Sequence, residues 1–157
     1  MDKLLKILDT NARMTVDQLA AMLNITPAEV QTRLSTLEKA GVVCGYKTLI
    51  DWDKTDRTYV SAVIDLQIAP SRDRGFDAVA ETITAFDEVE SVKLMSGGYD
   101  LSVIVTGQTL RDVAMFVATR LAPLDGVLST ATHFVLKTYK EHGILFTEKR
   151  KDERGQL

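Results

Sequence analysis

The residue types able to support chemistry are few in this sequence, and their neighbours limit what they can do. His133 and His142 have no Cys, His or carboxylate partner at metal-ligand spacing. His133 sits between Thr132 and Phe134 in a β-branched stretch, which suits a packed or interface residue. No Gly-x-Ser-x-Gly elbow occurs, and no Gly-Lys-Ser/Thr phosphate loop follows Gly97-Gly98. The sequence therefore argues against an enzyme, and neither a metal nor a cofactor is expected. Cys44 is the only cysteine, so no intrachain disulfide can form, and its Val-Val-Cys-Gly setting predicts a small buried hydrophobe. The string Ser96-Gly97-Gly98-Tyr99-Asp100-Leu101 reads on spacing as a tight hairpin turn: the glycines tolerate φ > 0, Tyr99 packs and Asp100 caps the loop.

A second kind of chemistry, hydrogen bonding from a helix surface, is offered by Gln31, Thr32 and Ser35. Two repeated start signals set that helix in place. Thr15 followed by Gln18, and Thr26 followed by Glu29, are capping boxes, each satisfying backbone N–H groups that a first helical turn leaves unpaired. Pro27 suits the first position of the second helix, where its missing N–H costs nothing. Val16, Leu19, Ala20 and Leu23 recur at helical spacing, and Asn24-Ile25 leaves room only for a tight turn. In the second helix Val30, Leu34 and Leu37 form the apolar stripe, which turns Ala28, Gln31, Thr32, Ser35 and Lys39 outward. Leu4, Leu5, Ile7 and Leu8 supply a preceding helix, Gly41 ends the pair, and Val42-Val43 and Gly45-Tyr46 begin an extended segment. A small, polar outward face of this kind matches what a helix-turn-helix presents to the DNA major groove, where short side chains permit close approach and Gln, Thr or Ser reach base edges.

After Ile50 the run from Asp51 to Arg57 is polar and aperiodic, as befits an exposed connection. The period then becomes two. Val60, Ala62, Ile64, Leu66 and Ile68 alternate with Tyr59, Ser61, Val63, Asp65 and Gln67, predicting a half-buried strand over 59–68. Phe76, Val79, Ala80 and Ile83 predict a helix, 89–95 and 99–106 two hairpinned strands, and Thr109 the cap of a helix with the stripe Leu110, Val113, Ala114, Val117 and Leu121. Pro123 and Gly126 close it, and 127–139 predicts a fourth strand. The order βαββαβ folds as a ferredoxin-like sandwich, a four-stranded antiparallel sheet with both helices on one face. Its other face would show Tyr59, Val63 and Ile104, a partly apolar surface suited to self-association. The expected class is thus α+β: a winged or plain helix-turn-helix domain over 1–50, a linker over 51–57, the sandwich over 58–143, and an arm or frayed, highly charged tail over 144–157, with Ile144-Leu145-Phe146 able to add a strand.

The chain has 157 residues and a formal net charge of −3. No run of eighteen apolar residues and no leader with a cleavage site is present, so membrane and secretory readings lack support and the cytoplasm is expected. Over residues 1–53, six basic side chains against seven acidic ones leave −1. Phosphate neutralisation supplies most non-specific DNA affinity. A head this poor in positive charge implies that several protomers engage DNA together.

Asn11-Ala12-Arg13, Leu19-Ala20, Ile25-Thr26-Pro27, Val30, Arg33-Leu34, Leu37-Glu38, Gly41-Val42-Val43 and Gly45-Tyr46 together resemble the Lrp/AsnC family of bacterial and archaeal regulators. The resemblance implies a transcriptional regulator that binds double-stranded DNA, dimerises through the sheet and assembles further into tetramers or octamers. In the recognition helix, Gln31, Thr32 and Ser35 are assigned to groove contact with Ala28 allowing approach, Arg33 and Lys39 to phosphate, and Thr26 to the backbone. Arg33 lies beside the stripe and has bracing as its other reading. The string at 97–100 is similar to the family's Gly-x-Tyr/Phe-Asp element, which lines a small-molecule site between dimers. It implies contact of an amino acid or related effector with Gly97, Gly98, Tyr99 and Asp100, and more loosely with Thr130 and Thr132. Glycine N–H groups can approach a carboxylate, and an acid can pair with an ammonium group. Asp100 has holding the loop as its other reading. Two further hypotheses stand beside the regulator: a metabolite-binding module without DNA affinity, and an enzyme similar to sirohaem decarboxylases on the same scaffold, marked by tetrapyrrole binding through His133 or His142.

Overall fold

The computed structural model describes residues 2–70, 72 and 74–146; the charged tail expected to fray lies outside them. The chain divides into two units, Met1–Leu49 and Ile50–Leu157.

The first unit is three helices: α1 (Lys3–Thr10), α2 (Val16–Leu23) and α3 (Pro27–Lys39). Both capping boxes form, with Gln18 N–H donating to Thr15 Oγ1 and Glu29 N–H donating to Thr26 Oγ1, and with the Gln and Glu side chains accepting from the cap N–H groups. Asn24, at φ 55°, makes the sharp turn between α2 and α3. Leu4, Leu8, Leu19, Ala20 and Val30 make the core, with Val16, Leu23, Leu34 and Leu37 packed against it. The end of α3 is a Schellman motif: Gly41 at φ +68° donates to the Glu38 carbonyl at 3.0 Å and Val42 to that of Leu37 at 2.9 Å. Val42 and Val43 lie in this turn rather than in an extended segment, and no strand pairing involves residues 44–51. Cys44 is exposed, its thiol donating to the Gly41 carbonyl, because the chain has already left the small core at Val43. The expected burial of Cys44 is therefore corrected.

In the second unit, β1 (Val60–Ile68), α4 (Asp77–Thr84), β2 (Val89–Leu94), β3 (Leu101–Gly107), α5 (Leu110–Phe116, continued by a π-turn over Val117–Leu121) and β4 (Val127–Phe134) give a sheet of order β2-β3-β1-β4 with every pair antiparallel. This is the ferredoxin-like arrangement. Ala62, Ile64, Leu66, Leu101, Val103 and Val105 from the sheet meet Val79, Ile83, Val113, Phe116, Val117 and Leu121 from the helices in one core.

Two apolar assignments change. Leu110 and Ala114 are exposed, and Phe116 takes the inward position, so the stripe of α5 is Val113, Phe116, Val117 and Leu121. Phe116 sits edge-on to Phe86. Strand β4 stops at Phe134, opposite Ala62 and five residues early, with one further bond from the Val135 N–H to the Ser61 carbonyl; Lys140–Glu141 (β5) and Ile144–Leu145 (β6) pair separately as a small hairpin. The connection over 51–57 is folded back on its own unit: Trp52 stacks on Tyr59 with ring centroids 5.6 Å apart, and the Arg57 guanidinium lies 4.6 Å over Trp52.

Candidate functional site

The outer surface of α3 is exposed along Ala28, Gln31, Thr32, Arg33, Thr36 and Lys39, while Ser35 is half-buried at its margin. Ala28, Glu29, Thr32 and Arg33 border a shallow hollow of about 300 Å³, which the small side chains leave open. Hydroxyl groups here are partly committed. Thr32 donates to the Ala28 carbonyl at 2.9 Å and Thr36 to that of Thr32 at 2.9 Å, so both present methyl groups outward. Thr26 is occupied by its capping box, its hydroxyl donating to Glu29 Oε2 as well as accepting from the Glu29 N–H. That backbone N–H of Thr26, and then its hydroxyl, hold the Glu29 carboxyl below the usual carboxylate range, with Arg33 adding attraction. Arg33 is exposed and does not brace the core. Thr36 was missed by the stripe argument, although it lies one turn beyond Thr32 and was legible from that spacing. At the far end of the helix, burial and a bond donated to Glu38 raise the Tyr46 phenol.

The glycine string connects β2 to β3. Met95 N–H donates to the Asp100 carbonyl at 2.8 Å, so pairing extends past the strands and only 96–99 form the loop. Gly97 alone of the two glycines has positive φ. Tyr99 is exposed rather than packed. Asp100 is tied to β1: its N–H donates to the Leu66 carbonyl, and its Oδ2 accepts from the Ile68 N–H at 2.8 Å. The β1·β4 register shifts between Gln67 and Ile68. Asp100 thus takes up an N–H beside this bulge.

Register decides which residues join that loop. Cross-strand partners share a face. Thr130 opposes Leu66 and Thr132 opposes Ile64, so both threonines lie on the helix side, half-buried, and the structure does not bring them to Gly97–Asp100. The β4 residue that faces the loop side is Ser129, opposite Gln67, and Gln67 Nε2 donates to the Gly98 carbonyl at 3.3 Å. Sequence alternation placed Gln67 on the open face, but only the register reveals what it meets. His133 is also on that face, exposed, with Nε2 3.4 Å from Asp65 Oδ2. His142 lies in the β5–β6 turn at φ 44°. Among the described residues no group of three or more His, Cys, Asp or Glu side chains could hold a metal ion.

Two family models match this architecture: a winged helix-turn-helix DNA-binding domain over residues 3–43 and an Lrp/AsnC ligand-binding domain over 61–145. The chain belongs to the Lrp/AsnC family. It is 48% identical over 153 residues to a Bacillus subtilis protein named as an HTH-type transcriptional regulator, YugG, covering 97% of this chain and 92% of that one. A solved Neisseria meningitidis transcriptional regulator, NMB0573 in complex with L-Met, is 26% identical with a TM-score of 0.70, covering 90% of this chain and 93% of that one. The crystal structure of PH0061 shares the fold, with a TM-score of 0.76 at 23% identity, covering 90% of this chain and 96% of that one. As a member of the Lrp/AsnC family the chain is a DNA-binding transcriptional regulator with a ligand-binding domain, not an enzyme. No helix among the described residues is long and apolar enough to cross a membrane.

Proposed function

We propose that the chain is a cytoplasmic, sequence-specific regulator whose assembly or DNA binding responds to an amino acid or related small metabolite held at a subunit interface. The observation that carries the DNA half is the uncovered, small and polar face of the doubly capped helix α3. Gln31, Thr32 and Ser35 meet the major groove, with Ala28 permitting approach. Arg33 and Lys39 contact phosphate, and the segment at Thr26 approaches the backbone near the helix start. The head is weakly charged, so copies must bind neighbouring sites together. Association uses the open sheet face around Val63 and Ile104, giving a homodimer that builds to a tetramer or octamer.

For the effector, the loop Gly97–Asp100 is the contact, supported by its exposed backbone and by the L-Met complex of the Neisseria relative. Thr130 and Thr132 lie on the other side of the sheet, so the reading rests on Gly97–Asp100. An effector shifts the assembly only by binding its two states unequally.

The test is retardation of a duplex carrying the protein's own promoter across a salt series, with calorimetry against the twenty amino acids and size measurement with and without any binder. Retardation that weakens with salt, together with one amino acid that changes size or affinity, is expected. A protomer indifferent to duplexes and to every amino acid defeats the reading.

A further inference from the structure

The open sheet face carries one hydrogen-bonded relay that the loop's assignment does not use. Ser129 Oγ donates to Gln67 Oε1 at 2.9 Å, and Gln67 Nε2 donates to the Gly98 carbonyl at 3.3 Å, joining β4 to β1 and β1 to the loop. The Gly98 carbonyl can only accept, so it fixes the amide nitrogen toward the loop and leaves the amide oxygen for the Ser129 hydroxyl. The loop hangs from two anchors. Its base is held by Asp100 on the Ile68 N–H and by Met95 on the Asp100 carbonyl. Its crest is held by Gln67. Gly97 and Gly98 bring no side chains of their own, and a Cβ built on either would meet nothing within 4 Å.

The Gly98 carbonyl and the Tyr99 N–H belong to one planar trans peptide, so drawing the carbonyl toward Gln67 turns the N–H the opposite way, away from Gln67. We infer that Gln67 and Ser129 are positioning residues of the effector loop, holding the 98–99 peptide so that the Tyr99 N–H is presented as the donor to a ligand carboxylate. This rests on the proposed effector reading and adds to it the donor, the Tyr99 N–H, and the two side chains that hold it.

The experiment uses the full chain, its Q67A, S129A and double variants, the twenty L-amino acids as probes, and the carboxamide of whichever binds tightest. The native chain is expected to prefer the acid to its carboxamide. Each single variant should weaken the acid by about three- to tenfold, the worth of one neutral hydrogen bond, while changing the carboxamide little. Adding S129A to Q67A should change nothing further. Equal weakening of acid and carboxamide would mean a merely structural role and overturn the proposal. A ligand-free arm separates it from the effector reading: S129A should move the Tyr99 amide NMR shift in the native chain and not in Q67A. An unmoved shift overturns the relay whether or not an amino acid binds; a moved shift with no amino acid bound keeps the relay and defeats the effector reading and the carboxylate role resting on it.

Discussion

Thr26 closes α3 with three hydrogen bonds to Glu29, counting its own backbone N–H. Thr26→Ala removes the hydroxyl's share and should cost the head about 1 kcal/mol in denaturant unfolding. Because Glu29 titrates below its ordinary value in the folded chain, its contribution is present above the unfolded carboxylate pKa and is lost as pH falls through the lower folded one. Glu29→Gln should therefore flatten the acid limb of the head's stability profile below the ordinary carboxylate range. Tyr59 behaves in the opposite sense. Burial, reinforced by Glu90, pushes its phenol up to about 12. The stability it brings is whole below pH about 10 and fades as pH climbs through its folded pKa. Ultraviolet titration should show a phenol titrating near pH 12 that Tyr59→Phe removes, together with the alkaline loss of stability.

At the scale of elements, the end of α3 and the face of α5 show which local rules were sufficient. Gly41 adopts φ +68° where an added Cβ would meet nothing within 4 Å, so Gly41→Ala costs conformational strain alone, about 1–2 kcal/mol. Gly45 has equal space and no positive φ, and Gly45→Ala should be neutral or slightly stabilising by thermal unfolding. In α5 the expected stripe and the observed one make opposite predictions. Phe116→Ala should cost about 3–5 kcal/mol, whereas Leu110→Ala should stay within about 0.5 kcal/mol. Equal losses at the two positions would contradict the observed inward face. Leu110 and Phe116 each lie three residues from Val113, so helical spacing fits either, and the packed core takes Phe116, edge-on to Phe86.

For the whole molecule, the uncovered sheet face and the weakly charged head belong to one argument. Val63 and Ile104 are cross-strand partners on the open face, half-exposed in the single chain. Val63→Asp should leave the circular dichroism spectrum intact, shift light scattering toward the protomer, and weaken duplex retardation by more than tenfold, because phosphate contacts from separate heads no longer add. A variant that stays associated would move the interface elsewhere. Arg33→Ala should weaken all duplexes alike and lower the salt slope by about one.

What the sequence determined by itself is everything carried by near neighbours. Capping boxes at Thr15 and Thr26, the cap at Thr109, the αL glycine after α3, and the alternation of β1 are local, because the groups that satisfy one another lie within a few residues. The βαββαβ order follows from those elements and the limits on how they connect. The tertiary structure alone decided what meets across long separations. The strand register set Gln67 between Ser129 and Gly98, sent Thr130 and Thr132 to the helix side, and gave Asp100 to the Ile68 N–H. A shift of one residue would reverse every face, and periodicity leaves the register between strands undetermined. Burial at Cys44, Leu110 and Ala114 was settled in the same way. Apolar character states a preference for shelter, and only the packed neighbours determine whether shelter is there.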